Sequence, residues 1–174
     1  MSVAMTAATR FNVEASLNKA FTDAISAITR PAWLTALPAF VYNWDEVAAL
    51  MPCFAFFHIP AGMLNTHEGR NVGDGQSGRK ALGILEVDCY VTRTNTANWS
   101  AILRTMRDMV ETAAVSLRTV TVYDYQTTPA SPTATQYKVN IDDVQETPVE
   151  PDAANPAIQR ARILITYSFT YRAS

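Results

Sequence analysis

The sequence is poor in the residues that stabilise small secreted scaffolds and in those that bind nucleic acid. Its only two cysteines, Cys53 and Cys89, are too few for a disulfide framework and fit a reducing compartment. The net charge is −2, so no basic excess is present to neutralise phosphates, and dedicated nucleic-acid binding is disfavoured. Charged residues make up 17% of the chain, against about 25% in typical soluble domains. This low charge density indicates a surface that neighbouring molecules partly cover.

Signals for secretion and membrane insertion are also lacking. The first ten residues are small and polar and contain no apolar core of a signal peptide. The most apolar stretch, 47–64, is interrupted by Pro52, His58, Pro60 and Gly62. We therefore expect a soluble protein of cytosolic origin. The 174 residues suffice for one self-sufficient core, and we expect a single domain over 1–174.

Hydrophobic periodicity predicts two amphipathic helices, over 12–29 and 97–117, because apolar side chains recur there every three or four residues. Five other segments are β-branched, aromatic or alternating, as strands are. These predicted strands cover 52–60, 81–94, 119–126, 137–145 and 161–172. The connections are loops at 61–80, 127–136 and 147–159. The order α-β-β-α-β-β-β predicts an α+β fold, in which an antiparallel or mixed sheet of about five strands carries both main helices on one face.

A connector at 31–51 joins the first helix to the first strand and contains Trp33 and Trp44. A short helix is expected over 45–51. We expect the two tryptophans to pack at the edge of the core rather than to bind a ligand, because large aromatic rings usually contribute to core packing.

The histidines and cysteines do not predict catalysis or a metal site. His58 lies in an apolar strand, where a hydrogen-bonded core histidine is expected, and His67 lies in the loop. With Cys53 and Cys89 they have the ligand count of a structural zinc site, but not its clustered spacing. No nucleophile elbow or triad pattern occurs in the sequence. We therefore expect no enzyme, no metal and no cofactor.

Two further features favour structural roles. The loop 61–80 holds five of the six glycines, but a strand follows it, so no helix N-terminus is available to bind a phosphate. Glu86 and Asp88 lie two apart on one strand face. We interpret them as part of a solvated sheet face or as partners in ion pairs between subunits rather than as an acid–base pair.

The architecture resembles that of the tail terminator, or tail completion, proteins of long-tailed bacteriophages. In this likeness an opening helix precedes the apolar strand 52–57, and a glycine-rich loop leads into the alternating strand 85–93. The second helix, 99–117, follows directly, and the chain finishes with the long strand 160–172. The resemblance covers most of the chain and rests on element order rather than on an invariant motif.

The resemblance implies a virion structural protein without catalytic activity. Such proteins form a ring, usually of six subunits, that caps the head-proximal end of the tail tube, stops tube polymerisation and joins the tail to the head connector. The implied partners are the tail tube protein and the connector or neck proteins, with DNA only as cargo passing through the bore and no membrane. The chain would be made and assembled in the host cytoplasm and would reside in the virion.

The candidate assembly contacts are the charged residues of the loop and of the last strand. They are His67, Arg70, Arg79, Lys80, Arg162 and Arg172. Two other functions stay open at this point. One is a small α+β ligand-binding or regulatory domain that oligomerises through its sheet and lines a pocket with Trp33 and Trp44. The other is an enzyme that uses His58 or His67.

Overall fold

The computed structural model describes residues 8–64, 78–94 and 96–172, which form three helices and seven strands. The helices are α1 (Arg10–Ala27), α2 (Trp44–Leu50) and α3 (Trp99–Ser116). The strands are β1 (Ala39–Val41), β2 (Cys53–Leu64), β3 (Gly78–Thr92), β4 (Thr119–Asp124), β5 (Thr133–Glu146), β6 (Glu150–Pro151) and β7 (Ile158–Arg172).

All seven strands belong to one mixed sheet in the order β1-β2-β3-β7-β5-β4, with β6 paired to β7. Only β1 runs parallel to its neighbour, and the other pairings are antiparallel. The α+β class is confirmed, but the expected count of about five strands was too low. It missed β1 and β6 because strands of three and two residues are too short to show an alternation.

The two long helices cover one face of the sheet, and the third lies on the other face. Side chains of α1 and α3 share one apolar core with β3 and β7, in which Leu17, Met106, Leu85 and Ile163 are almost completely buried. On the opposite face Val47 of α2 belongs to a smaller apolar cluster. That cluster also contains Val41, Cys53, Ala55 and Tyr90.

The sheet curls around α1. The Arg10 guanidinium donates to the Leu82 carbonyl of β3 at 3.1 Å. Six residues further along the same helix, the Ser16 hydroxyl accepts from the Tyr123 amide of β4 at 2.8 Å. Since β3 and β4 are separated in the sheet by β7 and β5, one helix can reach both only because the sheet bends towards it.

A glycine makes room for the largest buried ring on this concave face. Gly83 pairs with Tyr167 across β3 and β7, and a Cβ at Gly83 would lie 2.3 Å from the Tyr167 ring. No side chain fits at that distance, so the cross-strand pair requires glycine.

The strands extend further than the sequence predicts. β2 continues past Pro60 to Leu64, with a register shift between Pro60 and Met63 around Gly62, whose φ is +96°. β3 starts at Gly78, so the predicted loop 61–80 is shorter at both ends, and its centre lies outside the described residues. The last four residues of the loop predicted at 127–136 likewise belong to β5.

Candidate functional site

The predicted contact residues do not form one described cluster. His67 and Arg70 lie outside the described residues. The backbones of Arg79 and Arg172 stand at the same end of the paired strands β3 and β7, without described side chains. Lys80 is exposed at that same end. A role in assembly therefore stays a prediction for these five positions.

Arg162, the sixth predicted contact, takes part in an ion-pair cluster within the chain. Its Nε and Nη2 atoms donate to the two carboxylate oxygens of Asp88 at 2.9 and 3.2 Å. Nη2 also lies 3.0 Å from Oε1 of Glu86. Arg160 lies 3.9 Å from the same Asp88 carboxylate, and the Tyr90 hydroxyl donates to it at 3.0 Å. This paired, forked geometry holds the guanidinium of Arg162 in place.

The cluster corrects the interpretation of this strand face as solvated. Asp88 has no exposed surface and Glu86 is 8% exposed. Burial and the neighbouring Asp88 charge raise the pKa of Glu86. Buried carboxylates are stable only when they are paired, and here the pairing partners belong to the same chain.

His58 is hydrogen-bonded on the helix-covered side of β2. Its Nε2 lies 2.8 Å from Oδ1 of Asn18 in α1, so Nε2 carries the proton. Its Nδ1 lies 3.5 Å from the Tyr167 hydroxyl. Burial lowers the pKa of His58 to about 4, which leaves the ring neutral near pH 7. The ring therefore has a structural partner on each nitrogen, as expected for a core histidine.

The outer side of β2 is open beyond its contact with β1. β1 pairs with β2 only from Ala39↔Cys53 to Val41↔Ala55, and no described strand continues it along 56–60. Since the Ala39 amide donates to the Pro52 carbonyl, the even-numbered backbone groups of β2 face this side. The amide of His58 and the carbonyls of His58 and Pro60 therefore point towards the open edge.

Pro60 is compatible with strand structure because of this exposure. It pairs with Gly83 inside β2, and the N–H that proline lacks would have faced the open side rather than β3. A proline within a strand is typical of such an edge position.

A groove of about 800 Å³ runs between this open edge and α1. Its floor and walls come from α1, β2, β3, the segment before α2 and the first residue of α2. The lining residues are Phe11, Glu14, Ala15, Asn18, Tyr42, Asn43, Trp44, Phe56, Phe57, His58, Ile59 and Glu86. Large apolar side chains around it are unusually exposed, since Trp44 is 57%, Phe11 56% and Ile59 43% exposed.

The tryptophans do not plug the core as expected. Trp33 is 49% exposed, and Trp44 stacks flat on Phe57 with the ring centroids 4.1 Å apart. Among the described residues, the charged side chains that line this groove are Glu14 and Glu86, and Glu86 is paired with Arg162. Burial raises the pKa of Glu14.

The end of the β4 edge, from Tyr123 onwards, is closed by side chains of α1. Ser16 accepts from the Tyr123 amide, and Asn12 Oδ1 accepts from the amides of Tyr125 and Gln126 at 2.9 and 3.2 Å. Asn12 is completely buried. These contacts give the outward amide groups at the end of β4 the acceptors that another strand would otherwise supply.

The cysteines do not form a metal site with the histidines. Cys89 pairs with Phe54, whereas Cys53 pairs with Tyr90, so the two thiols lie on opposite faces of the sheet. Among the described residues no group of three or more His, Cys, Asp or Glu side chains is arranged to hold a metal ion.

Comparison with models of known protein families and with curated proteins finds no match to this chain. None of the helices in the described part has both the length and the apolar character needed to cross a membrane.

The open edge and its groove, which sequence reasoning did not locate, are the best-defined candidate site. Two signals could have identified it: Pro60 in a strand, and Trp44 shortly before that strand.

Proposed function

We propose that this chain is a virion structural protein of the tail-terminator type, which forms a ring on the head-proximal end of a tail tube and joins it to the connector. The observation that carries the proposal is the contrast between an open, aromatic-flanked β2 edge and a closed β4 edge. An open edge that pairs with a different surface of the next copy makes a heterologous interface. Heterologous interfaces generate rings when the rotation closes.

The apolar groove supports the same function. A monomer with several half-exposed aromatic side chains beside unpaired backbone groups exposes a surface that favours protein contacts. The element order resembles that of tail terminators, and a ring of such subunits would contain contacts of this kind.

Native mass spectrometry of the purified chain, with negative-stain images of the same sample, tests whether it forms a ring. Six copies of 19.1 kDa would give a closed ring of about 115 kDa. A second assay mixes the chain with polymerising tail tube protein and measures tube lengths. We expect shorter, capped tubes, and unchanged lengths without caps would contradict the proposed function.

A second candidate function follows from the groove itself. A volume of about 800 Å³ lined by Trp44, Phe57 and His58 fits a small apolar ligand. A thermal-shift screen with small aromatic and acyl compounds tests it. A compact dimer that a metabolite stabilises would favour this ligand-binding or regulatory function over the virion function.

A further inference from the structure

One wall of the groove beside β2 is a single face of α1. Its members are spaced three or four residues apart and are Phe11, Glu14, Ala15 and Asn18. Since Asn18 binds the His58 ring, this face of the helix runs along the open edge on the helix-covered side of β2. A chain that pairs along 56–60 would therefore place every second side chain against α1.

The carboxylate of Glu14 on this wall forms no ion pair in the described part of the chain. Burial raises the pKa of Glu14, and the charge of Arg10 opposes that rise only in part. The Arg10 guanidinium instead donates to the Leu82 carbonyl at 3.1 Å. Glu86 is already paired with Arg162. A half-buried carboxylate beside an open edge is thus left for a cation from another molecule.

A basic side chain suits this wall better than any other type. Phe11 lies three residues before Glu14 and is largely exposed. The aliphatic stem of an arginine or lysine can cover that ring while its charged end reaches the carboxylate. An acidic side chain would be repelled by Glu14, and an apolar one would bury the carboxylate without pairing it.

The opposite wall of the groove is aromatic. Trp44 stacks on Phe57 with one face of its ring and is largely exposed, so the other face is open. Ile59 is also exposed, and it lies on the same side of β2 as Phe57 because it is two residues further along the strand. Apolar side chains fit this wall.

The backbone decides which residue of an added strand is the basic one. The amide and carbonyl of His58 point to the open edge, so in an antiparallel pair the residue opposite His58 exchanges both backbone hydrogen bonds with it. Opposite side chains share one face of the sheet, and the His58 ring lies on the α1 side. The residue opposite His58 therefore faces Glu14, and its two neighbours face the aromatic wall. Neither β1 nor a second β2 edge contains a lysine or arginine, so neither supplies that residue.

We propose that the groove binds an extended segment of a partner protein with the pattern apolar–basic–apolar, whose backbone pairs with 56–60 and whose arginine or lysine reaches Glu14. This inference deepens the proposed function by naming the chemistry of the surface that covers the open edge. It rests on that function only for the identity of the partner, a neighbouring protein in the assembled tail.

A pair of peptides tests the groove directly. The probe is acetyl-Thr-Val-Arg-Val-Thr-amide, and in the control peptide citrulline, which has nearly the same shape and no charge, replaces the arginine. Isothermal titration calorimetry with the full chain measures both dissociation constants. We expect the arginine peptide to bind about tenfold more tightly. Equal affinities, or no binding of either peptide at millimolar concentration, would overturn the inference.

Two variants identify the carboxylate that is responsible. Glu14→Gln keeps the shape of the side chain and removes its charge, whereas Glu111→Gln makes the same change at another half-buried position, on α3. We expect the advantage of arginine over citrulline to disappear in Glu14→Gln and to remain in Glu111→Gln. An advantage that survives in Glu14→Gln would place the cation elsewhere and contradict the proposal. Thermal melts check that both variants fold.

Hydrogen exchange distinguishes strand pairing from a simple contact of charges. The His58 amide should become protected when the arginine peptide binds, because it then donates to the peptide backbone. An amide that exchanges equally fast with and without the peptide would rule out the paired strand.

The aromatic wall has its own variant. Ile59→Lys places a charge where an apolar side chain of the peptide is expected, and Val115→Lys adds the same charge at an exposed position on α3. We expect Ile59→Lys to weaken binding of the arginine peptide by about tenfold and Val115→Lys to leave it unchanged. Equal binding by the two variants would contradict the predicted register.

These outcomes are independent of those that judge the proposed function. The peptide measurements test the groove whether or not the chain forms rings. Rings and capped tubes together with equal binding of the two peptides would overturn this inference and leave the proposed function standing. Selective binding of the arginine peptide by a chain that never caps tubes would do the reverse.

Discussion

The edge strand β4 and the part of β2 that β1 does not cover both lie near α1, but α1 contacts them differently. At β4 the buried Asn12 and Ser16 accept the outward amide groups of the strand and of the turn after it. At β2 the helix contributes Asn18, which binds the His58 ring and not the strand backbone. The end of β4 is therefore closed to further pairing, whereas no described strand pairs with the outer side of β2 along 56–60.

The helix α1 therefore supports folding at one edge, while the other edge is available for assembly. A closed edge protects a monomer from non-specific strand pairing, which exposed edges otherwise promote. An open edge on the same molecule is useful only if a specific partner covers it. We therefore expect changes at the β4 edge to alter stability, and changes at the β2 edge to alter association.

The largest expected effect is the loss of the closing side chain in Asn12→Ala. The substitution removes the acceptor of two backbone amides and the donor to Asp124. The Tyr125 amide loses this acceptor inside the protein, while the Gln126 amide and Asp124 keep each other as partners. The loss should cost about 3 kcal/mol of unfolding free energy. Urea denaturation measures it, with Asn18→Ala as the control on the same helix, expected to cost about 1 kcal/mol. Equal losses in the two variants would remove the distinction between the edges.

The next effect concerns pH and the histidine at the open edge. Burial lowers the folded-state pKa of His58 to about 4, below the 6.5 of an unperturbed histidine. As the pH falls below 6.5, the unfolded chain therefore binds a proton that the folded chain does not, and stability decreases. Between pH 7 and pH 4.5 this should amount to about 2 kcal/mol.

The variant His58→Gln isolates that contribution, because glutamine can still donate to Asn18 but does not titrate. Denaturation curves for both proteins across this pH range should diverge below pH 6.5, with the wild type losing more stability. Parallel pH profiles would show that His58 is not buried in neutral form.

A smaller effect is expected for Ser16→Ala at the closed edge. The hydroxyl donates to the Asn12 carbonyl and accepts from the Tyr123 amide, so its loss leaves one amide without an acceptor, at about 1 kcal/mol. Thr112→Ala is the matched control. Thr112 makes the same bond to the carbonyl four residues earlier, but it is exposed on α3 and accepts from no strand. Thermal melts that shift equally would contradict a closing role for Ser16.

The sequence predicted the long elements because their periodicity is strong. The stripe through Leu17, Phe21 and Ile25 became the buried face of α1, and the alternation at Leu85, Val87 and Cys89 became the core face of β3. Such periodic patterns arise because only one side of the helix or strand is buried in the core.

The candidate site could not be predicted in the same way, because it depends on which strands become neighbours. Glu86 and Asp88 suggested that the second face of β3 is exposed to solvent. In the structure Arg162 and Arg160, which follow Asp88 by 74 and 72 residues in the sequence, lie beside these carboxylates. The open edge arises because β1 stops at Val41, which no pattern within β2 encodes. Asn12 and Ser16 close β4 from more than 100 residues away.

The smallest perturbation that tests the comparison is hydrogen exchange, which changes no residue. The amides of Tyr123 and Tyr125 donate to α1 side chains and should exchange slowly in the monomer. The His58 amide faces the open edge and should exchange about as fast as an unprotected amide until the chain assembles, and then slow down. Residue-resolved exchange below and above the assembly concentration measures this, and Ile59→Lys should keep the His58 amide fast at both. Protection of that amide in the monomer would mean that the β2 edge is already covered, and the difference between the two edges would disappear.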